Sequence, residues 1–360
     1  MMALYKMELR KIWSRKITMV SAVLLFSLTL VYLMILISGE RSIEKGTPYR
    51  GIQAIERNRE MEKLYQGVLY DDKLQRILME TNPWDDKNYI TDFIVQWLSD
   101  GSLEQGNMSG IYREPSHIYP VGETELARVM KESGKKITLG YNQGYRTFLD
   151  YLQSGMVFLS IFLIVALTPV FSEEYQENTA GIIYASEYGK TRGPGAKIAA
   201  AFTTAAGTFA VIAVIGAAVC RGIYGAGNWK MVTGILLGDM NEYLSLYQME
   251  IGKFAVLYLF MAFGGILMLA GMSIWLSAHF KKNYHVLTVT VAVWCLPILI
   301  RFLLGTGVWM IVGQTQPIYQ ILYQTIIETE KTRLLQIVMI IAVVSGGAVM
   351  GYRRSVRVEN

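Results

Sequence analysis

The chain has 360 residues, 52% apolar and 18% charged, with a formal charge of +5 and a mean hydropathy of +0.30. Soluble domains carry roughly 45–50% apolar and about 25% charged residues, and here the apolar excess is gathered into six blocks of bilayer length. That pattern excludes an ordinary soluble enzyme and a disordered chain, and Cys220 and Cys295, both inside apolar blocks, offer neither a disulfide framework nor a metal-binding spacing.

Residues 1–16 set Leu4, Met7, Ile12 and Trp13 among five basic residues. The spacing predicts a short amphipathic helix lying on a membrane surface, its cations on anionic lipid headgroups. A helix crossing the hydrocarbon needs about 20 mostly apolar residues, and lipid leaves it no partner for an unpaired backbone group. Residues 17–37 meet that length. They are too long for a signal-peptide core and no small-residue cleavage site follows, so the segment reads as a retained anchor.

Residues 38–151 form the largest hydrophilic block, with 18 acids and 15 bases. Periodic apolar residues predict helices through Ile52, Ile55, Met61, Leu64 and Val68, then Leu74, Ile77 and Leu78, then Ile90, Phe93, Ile94 and Trp97. Turn signals such as Asn82-Pro83 and Gly106-Asn107 punctuate them. The block is long enough for a small, mostly α core of its own. His117 is its one histidine and it has no cysteine, so a surface or structural histidine is expected. Asn107-Met108-Ser109 fits a glycosylation sequon, a triplet that also arises often by chance.

Further spans are expected at 152–172, 198–220, 254–277, 286–304 and 334–351. The 173–197 segment between the second and third reads as a short acidic helix start, an apolar turn at Ile182-Ile183-Tyr184, and a basic Gly/Pro break. Acids before a helix and bases after it suit the helix dipole, and the apolar turn asks for a covering surface. Gly189-Lys190-Thr191 resembles the end of a phosphate loop, but that motif needs a glycine where Tyr184 stands, so no nucleotide site is read here. Residues 305–333 place Ile318, Leu322 and Ile326 at four-residue spacing after an apolar run, which suits either re-entrant outer helices or a surface helix. Gly347 and Gly351 form a GxxxG pair, and Gly264, Gly265 and Gly271 dot the fourth span, as helices that approach closely require. Residues 352–360 form a basic tail.

With both termini inside, the inner segments hold 13 Lys and Arg in 58 residues and the outer ones 20 in 175, about twice the density inside. The basic excess therefore marks orientation in a membrane rather than nucleic acid. All 29 acids fall outside the spans, which argues against a proton-coupled carrier or an ion pump. Arg301, near the outer end of its span, is expected to snorkel to the headgroups. No catalytic set, metal site or cofactor site is read, and an enzymatic role is not expected.

The run Phe171…Glu174…Thr179…Gly181, then Ala185-Ser186…Gly189…Arg192…Lys197, resembles the inner loop of ABC-2 type permease subunits of bacterial ABC exporters. Gly140-Tyr141…Gly144-Tyr145 and the large domain between the first two spans resemble the Firmicute-type subgroup. The resemblance implies an all-α polytopic membrane protein of six transmembrane helices with a mostly α extracellular domain. It sits in the bacterial plasma membrane with N and C termini cytoplasmic. It also implies partners: a separate cytoplasmic ABC ATPase that binds the ATP, and a second permease subunit, homo- or heterodimeric. Residues 1–16 would then be the connector helix and 173–197 the coupling loop, with Glu174, Gly181, Ile182, Tyr184, Gly189 and Arg192 facing the ATPase. Against this stands a membrane sensor or assembly protein whose extracellular domain binds a ligand and which transports nothing. The cargo is not readable from these residues.

Overall fold

The computed structural model describes residues 2–83, 85–100, 102–103, 112–113, 117–132, 134–186, 188–237, 249–304, 320–322, 326 and 332–357; of 102–103, 112–113, Glu125, Val129, Glu132, Tyr184, 297–302, Leu304 and Arg357 it describes the backbone alone. In chain order, helices α1 (Met2–Ser14) and α2 (Lys16–Ser38) lead to a hairpin of β1 (Arg41–Glu44) and β2 (Thr47–Arg50). Then come α3 (Ile52–Tyr65), β3 (Gly67–Val68), α4 (Asp71–Glu80), α5 (Tyr89–Trp97), β4 (Ser102–Leu103), β5 (Tyr112–Arg113), α6 (Glu125–Glu132) and β6 (Thr138–Leu139). Among the described residues the elements that follow are helices: α7 (Gln143–Leu167), α8 (Pro169–Gln176), α9 (Ala180–Ala185), α10 (Gly193–Tyr224), α11 (Thr233–Leu237), α12 (Ile251–His279), α13 (Asn283–Leu304) and α14 (Arg333–Arg357).

Five of these stretches are long and apolar enough to cross a bilayer: Lys16–Ser38, Gln143–Gln176, Gly193–Tyr224, Ile251–His279 and Arg333–Val356. The chain is therefore a multi-pass, mainly helical membrane protein. The fifth expected span, 286–304, falls in α13, whose described side chains give a shorter apolar stretch, Asn283–Leu296. The second expected span begins nine residues early, at Gln143, and the third extends from Gly193 to Tyr224. Lipid-length sequence windows mark only the apolar part of a helix, and polar turns prolong it at both ends.

Two compact units make up the chain: Met1–Leu30 with Leu152–Ile215 and Tyr258–Asn360, and Val31–Tyr151 with Gly216–Leu257. In the first, the helices that fill the interior differ sharply from those that do not. The apolar window of Gln143–Gln176 is 72% buried and that of Ile251–His279 67%, against 17% for Arg333–Val356. The outward residues of α14, including Leu334, Val338 and Ile341, are apolar, which only a lipid or protein surround makes favourable. Its inward face carries Gln336, Ile340 and Ser355 and, where it meets α12, two glycines. A Cβ on Gly347 would run into the backbone of Gly271, whose Cα lies 2.8 Å away, and one on Gly351 would meet Ile274 Cγ2 at 2.8 Å. The GxxxG pair is thus spent on packing α14 against α12 within one chain.

The second unit is not purely helical. Three two-stranded antiparallel ladders pair β1 with β2, β3 with β6 and β4 with β5. The β1–β2 hairpin turns on Lys45-Gly46, both at positive φ (48° and 77°), the geometry a two-residue hairpin of this hand demands. The unit's core joins Met61 and Tyr65 of α3 to Leu74 and Ile77 of α4 and Ile90 and Ile94 of α5. Met231, Val232 and Ile235, from the stretch between α10 and α12, complete that core. The face of α3 differs from expectation: Ile52 and Leu64 are 55% and 71% exposed, Ala54 and Asn58 are buried instead, and Val68 lies in β3. Gly140 and Gly144 matter sterically, since a Cβ on either would strike Asn228 or Tyr224 at 2.5–2.6 Å. His117 is exposed, edge-on to Tyr119. The sequon at 107–109 and most of 305–333 lie outside the described residues, as does the side chain of Arg301; within 305–333, the Ile321 carbonyl accepts a hydrogen bond from Tyr258.

Gly346 faces open space while Gly347 abuts a backbone. Gly347→Leu is therefore expected to cost about 1–3 kcal/mol or more through overpacking, seen as a lower melting temperature in detergent. Gly346→Leu should melt like the wild type.

Candidate functional site

The 173–197 segment is the best candidate, and its construction starts from a proline. Pro169 has no N–H and opens α8, so the helical ladder is interrupted between α7 and α8. Ser277 of α12, fully buried, repairs the joint. Its Oγ accepts from the N–H groups of Phe171 (2.9 Å) and Ser172 (3.2 Å) and donates to the carbonyl of Thr168 (2.7 Å). Arg15, at the junction of α1 and α2, donates to the carbonyls of Ala166 and Pro169 at 3.4 and 3.5 Å. Beyond the joint, the Ser172 hydroxyl reaches Asn283 at the start of α13.

Glu173 and Glu174 follow at once on α8. Glu173 takes a two-pronged contact from Arg15, Nε lying 3.1 Å from Oε1. Lys11 lies 3.5 Å from both acids. Glu174 is 1% exposed and pairs with Lys197 of α10, itself 3% exposed and set 5.1 Å above the ring of Phe171. Glu8 of α1 is buried beside them, and that burial holds its carboxyl above the usual range against the pull of Lys197 and Lys11. Three acids (Glu8, Glu173, Glu174) thus meet three bases (Lys11, Arg15, Lys197), a neutral set, as burial of charge requires.

The chain then leaves the interior. Asn178 takes a left-handed turn (φ 57°) into α9, which carries Ile182 76% exposed. Gly181 has nothing within 4 Å of where a Cβ would stand. Gly189 is the opposite: a Cβ there would collide with the carbonyl of Ile183, so glycine is what lets the chain fold back under α9. Arg192 is exposed, its guanidinium 4.8 Å over the ring of Tyr188. The hydroxyl of Tyr352 in α14 donates to the Thr191 carbonyl at 3.2 Å. Between α1 and this segment runs an open groove of about 740 Å³, with Met7, Ile182, Ile183 and Tyr188 in its apolar walls and Glu8 and Lys197 at its charged floor.

The six residues singled out from the sequence therefore separate. Gly181, Ile182 and Arg192 lie on an open surface, Gly189 shapes the turn, and Tyr184 is described only as backbone within α9. Glu174 is not at the surface at all. Its carboxylate is consumed by Lys197 and Lys11, which brace the segment from inside. Sequence reading missed that brace. Lys11 and Arg15, expected on lipid headgroups, pair with acids more than 150 positions away, and only the matching of basic and acidic runs hinted at it. Compared with known proteins, the chain matches no family model, no curated protein and no solved structure.

Removing one partner of a buried ion pair costs about 3–5 kcal/mol because the other charge stays behind. Lys197→Ala should accordingly lower thermal stability in detergent steeply, and the double variant Lys197→Ala/Glu174→Ala should recover part of the loss. Ser277→Ala, which strips three hydrogen bonds from the joint, is expected to cost about 1–3 kcal/mol by the same measurement.

Proposed function

We propose that this chain is the membrane subunit of a bacterial ABC-type exporter of the ABC-2 kind, driven through the 173–197 segment by a separately encoded ATPase. The observation that carries the reading is the pairing of an exposed apolar turn with a rigid base. Ile182 is exposed on the short helix α9 and Arg192 is exposed beyond it, stacked on Tyr188, while the acids before α9 are tied to α1 and α10 by ion pairs, the one to Lys197 buried. An apolar residue three-quarters exposed beside a groove asks for a protein surface to cover it. A brace of buried pairs would carry a push on α9 into the bundle without yielding locally.

On this reading both termini and the 173–197 segment face the cytoplasm of the plasma membrane, as the Lys/Arg bias favours. Six crossings are then required, with α13 as the fifth, and the second unit faces outward. ATP binding would draw two ATPases together, and the two permease subunits docked on them would change which side of the path is open. Docking would rest on Gly181, Ile182, Tyr184 and Arg192, with Gly189 setting the turn and Glu174 transmitting from beneath. ATP chemistry belongs to the partner, and this chain contributes the path and the grip.

A photo-reactive residue at position 182, activated in living cells, is expected to capture a protein carrying a phosphate loop. Gly181→Asp and Arg192→Glu should keep the melting temperature of the wild type, because both positions are open, and lose that capture together with export. Capture of non-ATPase proteins alone, or none, would overturn the assignment.

A further inference from the structure

Lys11 and Arg15, expected from the sequence to lie on lipid headgroups, are taken up by Glu173 and Glu174. The first unit has another basic end whose charges are not. There α12 and α14 run the same way along each other: a Cβ on Gly264 would meet Ile340, one on Gly271 the backbone of Val344, and one on Gly351 Ile274. Both helices therefore finish at one end of the unit. α14 delivers Arg353 and Arg354 to that end, and the turn from α12 into α13 delivers Lys281 and Lys282, all four exposed.

Among the described residues no acid or carbonyl takes a hydrogen bond or ion pair from these four side chains; Lys282 has the ring of Tyr284 beneath it, 5.8 Å from Nζ. On α8, whose Gln176 side chain accepts from the Asn283 N–H at 3.4 Å, Glu173 and Glu174 are occupied by Lys11, Arg15 and Lys197. Glu177, next along, is exposed and pairs with none of the four. Arg333, at the other end of α14, is by contrast held within the protein, by the Ile326 carbonyl and by Gln336 at 3.1 Å.

The residues that flank the four bases along the helices are apolar and also exposed. Val349 and Met350 precede Tyr352 and Arg353 on α14, Trp275 lies one turn before His279 on α12, and Leu287 and Val291 follow Tyr284 on α13. Exposed apolar residues, then aromatic rings, then unpaired cations is the order of a helix that leaves the hydrocarbon through an anionic headgroup layer. An acidic protein or a nucleic acid would match the charge and leave the apolar band uncovered, whereas a phospholipid meets both.

We propose that this end of the first unit binds anionic phospholipids, their headgroups on Lys281, Lys282, Arg353 and Arg354 and their acyl chains along the apolar residues of α13 and α14. The inference needs only that these helices cross a bilayer, and it stands apart from the export reading.

Native mass spectrometry of the full chain in detergent, supplied with phosphatidylglycerol and phosphatidylcholine of the same acyl chains, reads the preference directly. Each base near an anionic surface is worth about fivefold in affinity, so phosphatidylglycerol is expected to lead by on the order of a hundredfold. Lys281→Gln/Lys282→Gln and Arg353→Gln/Arg354→Gln should each cut that lead by about tenfold or more at an unchanged melting temperature. Lys63→Gln/Lys230→Gln, exposed bases of the second unit, should leave it as it is. Equal retention of the two lipids, or a lead that survives both of the first two variants, would overturn the proposal. So would displacement of phosphatidylglycerol by inorganic phosphate or polyglutamate at equal concentration, which would give the face to a soluble anion. Should a variant fail to fold, the ranking of the lipids on the wild type decides alone.

Discussion

A proline in the middle of a membrane-length helix forces a decision on everything around it. Pro169 cannot donate, and apolar surroundings offer no water to take its place, so the backbone at the α7–α8 joint must be served by other elements. Ser277 supplies that service from α12 and Arg15 from the end of α1. Once Arg15 is drawn there, its remaining donors fall on Glu173, and the neighbouring Glu174 is carried into the interior where it needs a cation of its own. Lys197 meets that need, and with it the start of α10 is fixed. The packing of α1, α8, α10 and α12 can thus be followed outward from one missing N–H.

The same chain of consequences explains why the 173–197 segment has two characters. Its acidic start is structural, held by charges whose separation would be expensive in a low-dielectric interior. Its middle, around Ile182, is bound by nothing comparable and presents an apolar residue to the surface. A segment of this kind can pass a displacement inward, because the exposed part moves only with its buried foot. That division of labour is the physical basis for reading it as a grip for a motor protein.

The second unit answers a different constraint. It has a core of its own, drawn from α3 to α6 and completed by Met231, Val232, Ile235 and Ile251. Asn88 and Thr91 cap α5 reciprocally, which fixes the start of the helix that carries Ile90 and Ile94 into that core.

Helix type, approximate spans and the acid-free character of the apolar blocks were all legible in the residues, because length and hydropathy are local quantities and lipid admits few backbone solutions. The α4 and α5 core faces were legible for the same reason, through the period of Leu74, Ile77, Ile90 and Ile94. The exposed face at Gly181 and Ile182 was also visible, as an apolar turn in a polar loop. Glu174 was misjudged because its setting is decided by Lys197, Lys11 and the proline joint, partners that no local pattern names. The short strand ladders, Met231, Val232, Ile235 and Ile251 folded into the second core, and the glycines of α14 turned against α12 were decided likewise by pairing between distant segments. Sequence periodicity tells which side of an element prefers cover; only the three-dimensional packing tells what covers it, since partner, distance and charge balance are set by the whole chain at once.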